Sequence, residues 1–241
     1  MFNFNQHRDV DPDNGRIIIN EDDQAGLNSF LTKMFGWMSL SVLVSAIVAY
    51  YAGEVMRYQM TGRMSWLLLF AWFIVPFIIS RQAFRNATIG LVELIGYAAL
   101  TGLMFSYLFE IYTGATITAA FVSSAGAFAA MSVIGLTTKR SLAKLGTQLF
   151  GMVIGLIVAM IINIFLRSSM IELFLSLAAV VIFSLLTMFD TRQMKMIYNR
   201  LSDQISVNGL AINGALTLYL DFINIFISLV EILGGFGSNN R

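Results

Sequence analysis

Leu218-Tyr219-Leu220-Asp221-Phe222-Ile223-Asn224-Ile225-Phe226 sets one carboxylate in the middle of an apolar run that extends from about Leu210 to Leu233. A run of this length matches the roughly 20 residues a helix needs to cross the hydrocarbon of a bilayer. An acid at that depth costs roughly 2.5 to 3.5 kcal/mol on insertion scales, so it is expected to face protein or water rather than lipid. It has polar company. At about 100° per residue, Asn213, Thr217, Asp221, Asn224, Ser228 and Glu231 share a sector roughly 80° wide. The run reads as a transmembrane helix with one wet stripe.

The rest of the chain agrees with a membrane reading. Of 241 residues, 57% are hydrophobic and 12% charged, and the mean hydropathy is +0.75, far outside the soluble norm. Seven spans of roughly 16 to 24 residues are expected. They fall at about Leu31 to Gly53, Ser65 to Ser80, Ala87 to Phe109, Ala115 to Thr137, Leu145 to Leu166, Ile171 to Phe189 and Leu210 to Leu233. They consume most of the chain and leave no room for a second soluble domain. Residues 1–24 read as a polar, mobile tail without the basic start and apolar core of a cleaved signal peptide. Residues 25–241 read as one seven-helix membrane domain.

Cysteine is absent, which excludes disulfides, thiolate metal sites and cysteine nucleophiles. The net charge of +1 and the lack of a basic cluster give no sign of a nucleic-acid partner. Orientation follows from the basic residues. Arg8, Arg16, Lys33, Arg81, Arg85, Lys139, Arg140, Lys144, Arg192, Lys195 and Arg200 fall on the N-terminal side, against Arg57, Arg63, Arg167 and Arg241 opposite. This bias places the N-terminus in the cytoplasm and, across seven spans, the C-terminus outside. A re-entrant last segment would instead return it to the cytoplasm.

Small residues are expected at helix contacts, because lipid supplies no hydrophobic drive between helices. Gly151-Met152-Val153-Ile154-Gly155 in the fifth span and Ser123, Ser124, Gly126 and Ala127 in the fourth fit such packing within the chain, with a dimer interface as the alternative for the glycine pair. Pro76 is expected to kink the second span. The third span holds another acid, Glu93, on a face with Asn86, Gly90, Tyr97 and Thr101, as interhelical glue or as part of a pathway. Asp190 closes the sixth span in Met188-Phe189-Asp190-Thr191-Arg192-Gln193 and, taken alone, reads as a solvated helix-end acid. Arg81, ending the second span, reads first as a snorkelling anchor.

Seven hydrophobic spans, the sixth-span aspartate with Thr191 and Gln193, and the Leu218–Asn224 stretch together resemble the transmembrane Bax inhibitor motif family, the Bax inhibitor-1 relatives, over approximately residues 25 to 235. The resemblance implies an all-α integral membrane fold in which two three-helix layers surround a central C-terminal helix. It also implies a pH-sensitive calcium leak, with Asp190 and Asp221 as a hydrogen-bonded, proton-sensing pair and Arg81 as a latch that can engage Asp190. Some bacterial relatives carry a further acid in the second span where Phe70 stands here, so a second-span proton or cation role has no support. Glu93 is the nearest substitute.

Two carboxylates at hydrogen-bond distance in a poorly hydrated site cannot both ionise cheaply, so they share one proton. Losing it turns attraction into repulsion, and a guanidinium can then compete for one partner. Calcium would be a permeant or weakly bound species rather than a cofactor. Two carboxylates offer at most about four oxygens, where a tight site takes about six to eight. Asn213, Thr217 and Asn224 could add to the set, and Ser228 and Glu231 would continue the pathway. On the linear reading, however, Asp221 lies about 16 Å into its helix at about 1.5 Å per residue, while Asp190 sits a turn from the surface. Contact then requires a later entry of the last helix, a longer sixth helix, or tilt.

Other classes fit poorly. A retinal protein needs a lysine within a span, and all four lysines lie at or beyond span ends. A hydrolase lacks its base, since the one histidine, His7, is in the tail. Neither aspartate has the sequence setting of an intramembrane aspartyl protease. No enzyme is expected, and a proton-coupled transporter shows no substrate motif. The alternative from the resemblance is a non-conducting modulator of membrane-protein quality control, with a membrane protease as its partner. A bacterial cell membrane is the expected location.

Overall fold

The computed structural model describes residues 21–55, 75–76, 78–138, 142–202 and 204–238. The helices are α1 (Glu21–Val55), α2 (Ala87–Phe105), the single turn α3 (Leu108–Ile111), α4 (Gly114–Thr137), α5 (Ala143–Leu166), α6 (Ser169–Leu201) and α7 (Val207–Ser238). A further helical segment covers 78–85. Among the described residues, six helices are long and apolar enough to cross a bilayer. Of the second expected span, 65–74 and 77 lie outside the described residues; Val75 and Pro76 are helical, and the chain on either side that would carry the expected kink is largely outside them.

The helix starts follow local chemistry. Asn86 caps α2 by accepting from the backbone N–H groups of Thr88 and Ile89, Thr113 caps α4 through Thr116, and Ser168 caps α6 through Ile171. These polar side chains satisfy amides that lipid cannot. The α5–α6 turn is made by Arg167 at φ 52°, with the Ser168 N–H donating to Asn163 Oδ1 at 3.2 Å.

One layer holds α1, α2 and the 78–85 segment; the other holds α4, α5 and α6. Helix α7 runs between them and packs on α1, α2, α4 and α6. Its most apolar window is 61% buried, against 11% for α5, which packs on α6 at the rim. The C-terminal helix is thus the central one. Backbones approach closely at glycines. A Cβ at Gly102 would run into the Ser45 carbonyl of α1, one at Gly135 into the Met188 carbonyl of α6, and one at Gly209 into the Ala83 carbonyl.

Several boundaries differ from the sequence reading. Residues 21–24, assigned to the tail, open α1. The third span breaks at Ser106 and Tyr107 before the turn of α3. Asp190 does not close its helix, because α6 continues to Leu201. Hydropathy falls at Thr191-Arg192-Gln193 because these residues are polar, yet Thr191 is buried and Arg192 and Gln193 are half-buried against the bundle, and helix propensity carries the backbone on. Among the described residues, Gly151 and Gly155 mediate no helix packing, as a Cβ at either would meet open space.

Candidate functional site

The longer α6 resolves the depth problem. Helices α6 and α7 run antiparallel and are in register at two levels. At one, the carboxyl groups of Asp190 and Asp221 face each other within hydrogen-bonding range. At the other, Ser176 Oγ donates to Glu231 Oε2 at 2.6 Å. Asp190 is followed by a helical stretch of roughly 16 Å and Asp221 is preceded by one of roughly 21 Å, at about 1.5 Å per residue. Both acids therefore lie well inside their helices. Asp221 is only 4% exposed, and its Oδ2 has no hydrogen-bond partner among the described residues. A buried oxygen in that condition is costly unless a proton, water or cation meets it.

The stripe on α7 divides among different partners. Asn213 Nδ2 donates to Ser80 Oγ at 2.7 Å and to the Ser80 carbonyl at 3.3 Å, tying α7 to the 78–85 segment. Thr217 Oγ1 donates to the Asn213 carbonyl at 3.1 Å, and Asn224 Nδ2 to the Leu220 carbonyl at 2.8 Å. These two polar groups are satisfied within their own helix. Ser228 is buried. Arg81 is exposed and forms no ion pair with Asp190. Glu93 makes no hydrogen bond with either aspartate, and its Oε2 is buried and unpartnered among the described residues.

The face of α2 on which Glu93 stands is not a single lane either. Asn86 is spent on its cap, Gly90 packs against Ala83, and Tyr97 and Thr101 enter a hydroxyl cluster absent from the sequence reading. There Tyr219 Oη lies 2.6 Å from Ser45 Oγ, which donates to the Ala98 carbonyl at 2.7 Å. With its own proton so placed, Ser45 accepts from Tyr219. Thr101 hydrogen bonds to both tyrosines, whose rings meet edge to face at 6.0 Å. The cluster joins α1, α2 and α7 on the side of α7 opposite Asp221. A tyrosine buried at bilayer depth must find a hydroxyl partner, and that was the available signal.

Tyr112, between α3 and α4, lies against the far end of α7, where a Cβ at Gly234 would overlap its ring. Burial, with the Glu231 and Glu172 carboxylates adding, holds its phenol above the usual range. Among the described residues no group of three or more His, Cys, Asp or Glu side chains is gathered as a metal site. The aspartate pair alone does not fit tight calcium coordination.

The fold defines a multi-pass α-helical membrane protein in which two carboxyls face each other between the central helix and α6. The family model for "Inhibitor of apoptosis-promoting Bax1" matches residues 27–238. The chain is 36% identical over 218 residues to the inner membrane protein YbhL of Escherichia coli K12, covering 88% of this chain and 93% of YbhL. It is 38% identical over 235 residues to the uncharacterized protein YrjE of Lactococcus lactis, covering 94% and 99%. The protein belongs to the Bax inhibitor-1 family.

Proposed function

We propose that the protein is a proton-gated cation leak of a bacterial cell membrane, with calcium as the permeant species and the Asp190–Asp221 pair as its gate. The observation that carries this reading is the contact of two carboxyls on the central helix and its neighbour, one of them almost wholly buried with a free oxygen. A shared proton stabilises that contact; its loss drives the helices apart. Arg81 is the latch of the alternative state, carried on the segment that Asn213 holds through Ser80. Asn213, Thr217, Asn224, Ser228 and Glu231 on α7, with Glu93 on α2, are the proposed pathway residues. Weak, incomplete coordination suits passage better than storage. The basic residues orient the N-terminus to the cytoplasm and the C-terminus outside. No step of this reading involves catalysis.

The test is calcium flux into proteoliposomes holding the purified protein alone, followed with an entrapped indicator at pH 6 and pH 8. Flux that changes with pH supports the gate. Silence at both pH values refutes the leak and leaves the modulator of a membrane protease as the reading to pursue.

A further inference from the structure

A cavity of about 500 Å³ opens between α1 and α4, one helix from each layer, with α7 as its floor. The floor and inner walls are buried: Val42 and Ala49 of α1, Phe105 of α2, and Phe222, Ile223 and Phe226 of α7 are each no more than 8% exposed. Its mouth is not. Ala46, Gly114 and Thr118 are exposed, and Tyr50 is 54% exposed. From Tyr50 to Val42 the slot descends about 12 Å along α1, at about 1.5 Å per residue.

Its level in the bilayer is marked by aromatic residues. Tyr50 and Tyr51 near the end of α1 and Tyr107 beyond α2 are exposed at the same end of the bundle, as residues of an interfacial belt are. The slot therefore starts beneath one membrane surface and runs into the hydrocarbon of that leaflet. Its interior offers almost nothing to a polar guest. The hydroxyl of Ser45, which reaches the wall, is committed to the Ala98 carbonyl and to Tyr219, and Thr118 stands at the mouth. Water or a polar solute would leave its own hydrogen bonds unmade there, whereas hydrocarbon loses none. The volume is within the range of small-ligand cavities.

We infer that this slot is a binding site for a single hydrocarbon chain, the acyl tail of a membrane lipid or of a free fatty acid, entering sideways from the bilayer between α1 and α4. The chain lies against Phe222, the residue after Asp221, and beside the Ser45–Tyr219 hydrogen bond. Occupancy props the two layers at one end and braces the back of the helix that carries the acid. The site does not depend on the leak reading, since binding is measured without flux.

The experiment uses the full chain in vesicles of phosphatidylethanolamine and phosphatidylglycerol containing a trace of palmitic acid with a mid-chain diazirine. A second arm uses phosphatidylglycerol bearing the same chain. After photolysis, adducts are mapped by mass spectrometry. Label is expected on residues 42–50, 114–121 and 222–226, and the arm that gives it identifies the source. Phe222 and Ile223 form the buried floor, so label there comes only from a chain inside the slot, which makes those positions decisive. Narrowing the mouth with Ala46→Trp or Thr118→Trp should lower that label about tenfold, the effect of burying roughly two fewer methylenes. Ile154→Trp on the lipid-facing side of α5 should leave it unchanged. Label that follows exposure, strong on α5 and absent from 222–226, or label indifferent to both mouth variants, overturns the proposal.

Discussion

Asparagine at position 221 isolates the gate. Its amide has the shape of the carboxyl and can donate to Asp190, so it imitates the singly protonated pair and cannot lose the proton. In the wild-type protein, two ionised carboxylates about 4 Å apart repel by about 4 kcal/mol at an effective dielectric constant near 20. At about 1.36 kcal/mol per decade this is roughly three decades in a two-state equilibrium. The burial of Asp221 and its unpartnered Oδ2 indicate that little solvent screening reduces the figure. Calcium flux into proteoliposomes, titrated from pH 5.5 to 8.5, should vary with pH in the wild type and be nearly flat in Asp221→Asn. Asp190→Asn should be equally flat, and the double variant should add nothing, because both substitutions remove one shared proton. If Asp221→Asn keeps the wild-type pH profile, or the two single effects add, the pair is not the gate. Folding is checked separately by thermal unfolding in detergent.

Tyr219→Phe removes the hydroxyl bonded to Ser45 while leaving Ser45 its bond to the Ala98 carbonyl, so a loss of about 1 kcal/mol is expected in unfolding from mixed micelles. Gly102→Ala should cost about 1–3 kcal/mol in the same assay, since its Cβ meets the Ser45 carbonyl and Val48. Gly151→Ala and Gly155→Ala, which meet open space, should be neutral or stabilise by up to about 1 kcal/mol through helix propensity. Asn213→Leu frees Ser80 and should speed tryptic cleavage after Arg81 and Arg85 about fivefold, corresponding to about 1 kcal/mol of lost tethering.

The membrane class and the wet face of the last helix were legible because hydropathy and the polar stripe around Asp221 report directly on what a bilayer tolerates, whereas the central place of that helix came only from the family resemblance. Asp190 was legible as a residue but not as a position. Hydropathy measures where apolar side chains give out, and α6 continues as helix from Thr191 to Leu201 with polar and charged residues among them. The glycine pair at 151 and 155 misled because a small residue that admits a neighbouring helix has the same letter as one facing lipid. The contacts of Ser45 with Tyr219 and of Asn213 with Ser80 join distant segments. Helical periodicity reports which face a side chain occupies, but not the partner opposite it.

The extension of α6 beyond Asp190 has a mechanical consequence. Its tip is fastened on two sides: Tyr198 stacks on Phe30 of α1 with ring centroids 4.8 Å apart, and Lys195 Nζ donates to the Leu136 carbonyl at the end of α4 at 3.0 Å. Because the helix runs unbroken through Asp190, these two moorings fix the height and the rotation at which α6 presents its carboxyl to Asp221. A slide or turn of α6 at that level would break the ring stack, the lysine bond or both.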